Sequence, residues 1–453
     1  MKVRYLLFAC TLLLAASCDR GFNPPVGEDL LHRQAYDFRK TRDEVREYIR
    51  QYIPDVTEQQ IDEWTQNGTL ESMEINGERR YFSRTASNLF LVDSACKARK
   101  DAITKASVAE SISGNAFVDD EQEQIDYFHK LIDNCRKTGR SIGGGEDILG
   151  RHAITVNADA VPAGEIIRCW IPFPRRDIKR NSNVKLLGTS CDKYRISDIK
   201  APHSSVYMEQ KAEAGKPTVF WIEYSLSAFG EYHDLSCIQS AAYNKNSDLY
   251  KRYTCEQAPH IVFSDRMKAL SDSLTAGLRN PVDKAKAIFC WIRSKYPWAG
   301  AITYGLIPNI PEYVLDSGHG DCGQVTLLFM TLARIAGIPC AWESGLTDEP
   351  SEGWNMHDWC RVYFEGIGWV PVDQSAGIPD YAEEYPELRW KNFGGVNQYR
   401  IIINNAWGKE LQPRKKYPRS EPVDFQLGEV EWKGGNLYFD AWDQDINFKR
   451  INN

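Results

Sequence analysis

The spacing of apolar positions changes character several times along this chain. From Glu28 to Arg140 apolar residues recur at helical intervals between charges, with Asp37 to Tyr52 one expected helix and Glu121 to Arg136 another. Between them Thr57-Glu58-Gln59-Gln60 opens a short helix through a capping-box variant. Leu70 to Ile75 and Arg79 to Phe82 flank Asn76-Gly77, a hairpin signal. The stretch reads as a mostly helical module suited to docking, and Asn67-Gly68-Thr69 within it as a turn. Gly-rich Ser141 to Glu146 reads as a linker without the Lys of a phosphate loop. From Arg151 to Tyr253 alternation takes over (His152 to Val156, Ile166 to Ile171, Val219 to Tyr224), which predicts a β-sandwich-like domain.

Helical spacing then returns. Ser264 to Leu278 and Pro281 to Lys295 are expected helices, the second with Asn280 as N-cap and Pro281 as first helical residue. From Gly323 to Ala336 apolar residues fill the helical stripe (Val325, Leu328, Leu332, Ile335) and much of the rest, so this helix is expected to be buried almost all round. Gly337 stops it and Pro339 bars its resumption. His357 to Phe364 and Trp369 to Asp373 read as two strands around the turn residues Glu365 to Gly368. In the tail, Glu429 to Trp432 and Asn436 to Asp440 flank Lys433-Gly434-Gly435, a second hairpin expected to complete a sheet. Trp342, Trp354, Trp390 and Trp407 either line a groove for a peptide or glycan or pack in the core, and core packing is favoured.

The candidate chemistry sits where these elements meet. Cys322 opens the buried helix, where free backbone N–H groups and the positive end of the dipole favour a thiolate, so its pKa is expected below the usual value of about 8.5. A three-residue hairpin loop, Glu365 to Ile367, puts Asp373 opposite Trp359 and diagonal to His357, within reach of the ring. A four-residue loop puts it opposite Cys360, on the wrong face unless a bulge intervenes.

Gly320-Asp321-Cys322-Gly323 opening a buried helix, Ala333 to Pro339 closing it, His357-Asp358-Trp359, and Gly368 to Asp373 follow one another in that order. On these motifs the stretch from about Lys284 to Asp373 resembles the transglutaminase-like core, a branch of the papain-like cysteine enzymes. The resemblance implies a papain-like/transglutaminase-like core, and with the β-sandwich-like domain and the mostly helical N-terminal module read from the apolar spacing the expected fold class is α+β. The resemblance also implies Cys322 as nucleophile, His357 as general base and then acid, and Asp373 as the group that fixes the imidazole tautomer. The reaction implied is acyl transfer through a thioester, released by water or by a second amine. One oxyanion donor is expected at the backbone N–H of Cys322 or Gly323. A second, upstream donor is Trp298 or Tyr304, which no spacing separates, and each also reads as a core aromatic. Pro162 to Glu165 and Trp170 to Pro174 resemble the β domain that precedes this core in bacterial members, where it walls one side of the cleft.

With 453 residues the chain is expected to hold about three domains. The boundaries read as signal peptide 1–17, helical module 18–145, β-sandwich-like domain 146–258, catalytic core 259–400, and C-terminal β extension 401–453 packed on the core. A net charge of −7, and no basic run beyond Arg414-Lys415-Lys416, argue against a nucleic-acid partner. Met1-Lys2-Val3-Arg4, the apolar run Tyr5 to Leu14, and Leu14-Ala15-Ala16-Ser17-Cys18 resemble a bacterial lipoprotein signal. Lipidation of Cys18 would anchor the protein to a membrane in the cell envelope, outside the cytoplasm, with Asp19 to Gly27 as a leash. No CxxC pair occurs, His319 beside Cys322 lacks further ligands at metal spacing, and no EF-hand-like loop is present, so neither a metal nor another cofactor is expected. With Cys322 free, an odd number of mature cysteines is left besides Cys18, so at least one more thiol is free; pairing of Cys96 with Cys135 or of Cys237 with Cys255 stays open. The expected activity is hydrolysis of a peptide, protein or other amide-containing substrate, glycopeptides included. The alternatives are cross-linking acyl transfer and a binding or scaffold lipoprotein without turnover.

Overall fold

In a computed structural model the described residues are 26–111, 116–235, 238–349 and 353–451. The N-terminal segment with Cys18 lies outside them, as does Cys237. The organising element is the helix Cys322–Ile335, which starts where it does because Asp321 caps it. The Asp321 carboxylate accepts the Gln324 N–H at 3.0 Å, and the Gln324 side chain accepts the Asp321 N–H at 3.1 Å. Every residue from Gly323 to Arg334 is buried, and Gly337, at φ 77°, terminates the helix. Helices Asp265–Thr275, Pro281–Lys295 and Ile310–Ser317 pack around it, and the strand Gly353–Phe364 lies across it. Leu328, Leu332, Ile288, Phe289, Val362 and Val370 share one apolar cluster there.

Gly353–Phe364 belongs to a four-stranded antiparallel sheet in the order Gly368–Val372, Gly353–Phe364, Cys340–Glu349, Arg400–Asn404. Phe364 pairs with Gly368 and Cys360 with Val372, so the hairpin loop is the three-residue one. Asp373, next along the chain, therefore falls beside Trp359 and diagonal to His357.

Two five-stranded sheets enclose a second apolar core containing Ile154, Ile171, Phe220, Ile222 and Val430. One is built on the long pair Ile142–Val156 and Thr218–Tyr232, the other on Ile166–Pro172 and Ser205–Lys211. The Gly-rich stretch is no linker: Ile142–Val156 is continuous strand, with a register shift between Gly143 and Glu146. Its glycines leave room for rings, because a Cβ at Gly144 would meet Tyr127 and one at Gly145 would run into Phe229. The tail closes both sheets. Glu429–Trp432 pairs with Ile166–Pro172, and Trp442–Ile451 pairs along Ile142–Val156. Only Arg400–Asn404 of the last strands joins the sheet that carries His357.

In the N-terminal module the expected helix Asp37 to Tyr52 is shorter, Arg42–Arg50, and a separate helix, Glu28–Asp37, ends where it was expected to begin. The break arises because Thr41 makes a capping box with Glu44 and starts a new helix, while Lys40 bridges to Tyr81 at the end of the hairpin. Thr57 caps Glu58–Gln66 as expected, and Ser72–Ile75 pairs with Glu78–Tyr81 around Asn76-Gly77. Trp342 and Trp407 are core residues, and Trp354 and Trp390 are half-buried, so these four do not form an exposed groove. Cys96, Cys135 and Cys255 are free thiols, which removes the Cys96–Cys135 pairing.

Candidate active site

Cys322 stands at the first position of its helix with its sulfur in a polar niche. The thiol donates to Asp358 Oδ2 at 3.5 Å, and the Asp358 backbone N–H points back at the sulfur. Among the described residues Cys322 makes no hydrogen bond with His357. The expected acidic thiol is not found: burial, then the Asp358 and Asp321 carboxylates, push the Cys322 thiol well above its ordinary value. A helix terminus contributes about 0.3–1 kcal/mol toward the anion, too little to outweigh burial beside two acids.

The carboxylates around the sulfur are themselves displaced. Burial raises Asp358 to about 7 and Asp321 to about 6, the latter despite a hydrogen bond from the Tyr304 hydroxyl at 2.5 Å. Asp424 faces Asp358, and burial followed by Asp358 and Glu421 holds its carboxyl protonated well above the usual range. Gln426 Nε2 pins the arrangement, donating to Asp358 Oδ1 at 3.0 Å, to the His357 carbonyl at 2.9 Å and to the Gly345 carbonyl at 3.0 Å. A Cβ at Gly323 would collide with the Tyr304 hydroxyl and the Asp358 carboxylate, so only glycine fits behind Cys322.

His357 presents Nε2 to Asp373 Oδ2 at 2.7 Å and stacks on Trp359 with ring centroids 5.8 Å apart. Asp373 is fully buried and saturated. Its Oδ1 accepts from the Ser375 hydroxyl and the Ala376 N–H, both at 3.2 Å, and its Oδ2 also accepts from Arg400 Nε at 3.0 Å and Nη2 at 2.7 Å. Burial alone would raise the Asp373 carboxyl, but His357 and Arg400 outweigh it and hold it far below the usual carboxylate range.

The expected oxyanion donors are placed differently from one another. The Gly323 N–H faces the Asp321 carboxylate. Tyr304 is within reach of the site, but its hydroxyl proton is committed to Asp321. Trp298 is 42% exposed, and its segment bridges to Gly320, two residues before Cys322. The N-terminal module grips this upstream segment. Asn88 exchanges two hydrogen bonds with Gly300, at 2.8 and 2.9 Å, and Asp37 accepts from the Thr303 N–H at 2.5 Å and hydroxyl at 3.0 Å. Arg84 lies over the Trp298 ring, 5.7 Å from its centroid.

Cys322, His357 and Asp373 thus share one region. Asp358, Asp424 and Arg400 are additional members that the sequence reading did not single out. Asp358 neighbours His357 in the motif, but nothing local marks Arg400 or Asp424, which arrive from strands and loops far along the chain. Among the described residues no group of three or more His, Cys, Asp or Glu is arranged to hold a metal ion.

Comparison with known proteins bears on the helix and hairpin that carry these residues. The chain is 27% identical over 172 residues to the uncharacterised protein YebA of Bacillus subtilis, covering 31% of this chain and 23% of that protein. It is 24% identical over 197 residues to an uncharacterised protein of Haemophilus influenzae, covering 37% of this chain and 52% of the other. The chain therefore spans about a quarter and about half of the length of these two relatives. A solved structure of a suggested cysteine protease from Cytophaga hutchinsonii aligns at 12% identity with a TM-score of 0.47, over 69% of this chain and 93% of that one. Residues 268–374, which include all three of Cys322, His357 and Asp373, match the transglutaminase-like superfamily, and the chain carries a transglutaminase-like core.

Proposed function

We propose that this protein is a cysteine hydrolase of peptide or other amide bonds that uses Cys322, His357 and Asp373. The observation that carries the reading is the His357 Nε2 to Asp373 Oδ2 contact of 2.7 Å, on the strand residue adjacent to the one that touches the Cys322 sulfur. With Nε2 held by a carboxylate, the ring's Nδ1 is left as acceptor, the tautomer a general base needs. Hydrogen bonds of resting catalytic sites tighten when substrate binds, and in this reading the thiol leaves Asp358 for the imidazole at that point. His357 takes the thiol proton and sulfur attacks the amide carbonyl. The C–N bond breaks as the imidazolium returns its proton to the amine, and water, deprotonated by His357, opens the thioester.

Hydrolysis is favoured over cross-linking because transfer to an amine requires a water-excluding site for a second substrate. A second reading is favoured by one specific observation: the thiol rests on a carboxylate rather than on the imidazole, as suits a fold that binds without turnover. A peptide-library digest with wild type and Cys322→Ala, with and without a primary amine, separates the three. Cleavage dependent on Cys322 supports the hydrolase, amine incorporation the transferase, and neither product the binding protein.

The proposed site of action is the outside of a bacterial membrane, through lipidation at Cys18. The support is the basic, apolar and small-residue order of the first 18 positions. No helix among the described residues is long and apolar enough to cross a membrane. Metabolic labelling with a fatty acid, lost in Cys18→Ser, tests it.

A further inference from the structure

The three donors on Asp373 Oδ2 come from two side chains on different strands. His357 supplies one; Arg400, at the start of the strand Arg400–Asn404, supplies two. Arg400 is 7% exposed, and its Nη1 is anchored by Asn397 Oδ1 at 2.7 Å. The strand that bears it is drawn close by Gly345, which pairs with both His357 and Ile402 and whose Cβ would strike the Ile401 carbonyl. The guanidinium is a planar fork with fixed donors and a permanent charge, so it sets where the shared oxygen lies, not merely that it is ionised.

We propose that Arg400 is a positioning residue: it holds Asp373 Oδ2 where His357 Nε2–H meets it, and so aims the imidazole at Cys322. The inference rests on the Cys322, His357 and Asp373 reading given above. Asp373 reaches the ring from a loop just beyond the end of its strand, and without Arg400 one fixed side of that contact is gone. The ring would then lose its orientation and its tautomer together. Among the described residues Arg400 makes no hydrogen bond to the Cys322 sulfur; it acts through Asp373.

The test is the alkylation rate of Cys322 by iodoacetamide in the full chain at neutral pH, read by peptide mass spectrometry, with exposed Cys255 as the internal control for reagent. Arg400→Met is expected to slow Cys322 by roughly 10- to 100-fold relative to Cys255. Arg400→Lys, which keeps the charge but not the two-pronged fork, is expected to recover only part of that loss. Arg400→Met added to Asp373→Asn is expected to cost nothing more than Asp373→Asn alone. The low-field proton resonance of the His357 ring N–H is expected in wild type and absent in Arg400→Met. Asn397→Ala, which loosens Arg400 without removing it, should slow Cys322 in the same direction by less, and it carries the test if Arg400→Met does not fold. Wild-type reactivity in Arg400→Met, or in Asn397→Ala where that variant carries the test, overturns the proposal; so does wild-type reactivity in Arg400→Lys, or additive losses in the double variant. His357→Ala separates the two levels: no change there removes the triad reading and this inference with it, whereas slowing there without slowing in the Arg400 variants removes this inference alone.

Discussion

The Cys322 thiol donates to Asp358 Oδ2 at 3.5 Å, one residue along the strand from the imidazole that the motif order assigns to it. A carboxylate in contact with a thiol opposes its ionisation, so the resting sulfur is protonated at neutral pH. Selective alkylation of Cys322 in acid, the behaviour of a thiolate at a helix start, is therefore not expected of the wild type. Asp358→Asn removes the opposing charge and keeps the shape. Its Cys322 should be alkylated about tenfold faster at pH 7, the equivalent of about one pKa unit. An unchanged rate would show that the Asp358 charge does not govern the sulfur.

Gly345 predicts a stability effect confined to one strand contact. Gly345→Ala places a methyl group against the Ile401 carbonyl, backbone that cannot step aside without carrying Arg400 with it. A loss of about 1–3 kcal/mol is expected in denaturant unfolding. Stability equal to wild type would mean that the two strands have slack.

Glu71 predicts a pH dependence. It packs against Tyr313, whose hydroxyl donates to Oε1, while the enclosed Oε2 has no hydrogen-bond partner among the described residues. Burial raises it from the ordinary 4.5 to about 7. The folded state thus keeps a proton that the unfolded chain releases, so the contribution is most favourable below about pH 4.5 and is lost as pH rises through about 7. Asp321, Asp358 and Glu421 are shifted in the same sense, so stability should fall from mildly acid to alkaline pH. Glu71→Gln keeps an acceptor for Tyr313 and should stabilise the protein by about 1–3 kcal/mol at pH 8 with little effect at pH 4. Equal effects at the two pH values would contradict the assignment.

Asn88 predicts a link between the N-terminal module and the site. Asn88→Ala leaves the Gly300 N–H and carbonyl without their partners, a cost of about 1–3 kcal/mol. Protease nicking between Trp298 and Tyr304 should rise in the variant. Unchanged protection would mean that Asp37 and the apolar contacts hold the segment alone.

What the sequence disclosed follows the range of the interactions concerned. The helix at Cys322 and the hairpin joining His357 to Asp373 are set by neighbours within a few turns or one loop, and periodicity and turn residues display them directly. The thiol departs from what its place at the helix start suggests because burial, Asp358 and the more distant Asp424 outweigh the helix end, and only the fold brings them to the sulfur. The Gly-rich stretch at Ser141 to Glu146 looked like a linker because glycine marks both loose chain and chain pressed against rings; Tyr127 and Phe229, which decide between them, lie elsewhere in sequence. Arg400 carries no local signal at all. Its partner is 27 residues earlier, and two strands lie between theirs in the sheet.

The strand Trp442–Ile451 runs alongside Ile142–Val156 for ten consecutive pairs, joining stretches nearly three hundred residues apart. During synthesis the first of these strands waits, with this edge bare, until the helix at Cys322 and the hairpin after it have both been made. A chain cut short after the hairpin would possess Cys322, His357 and Asp373 yet lack the seam that fastens the two-sheet unit. Closure of that unit is therefore expected to follow the making of the Cys322 helix and its hairpin rather than to precede it.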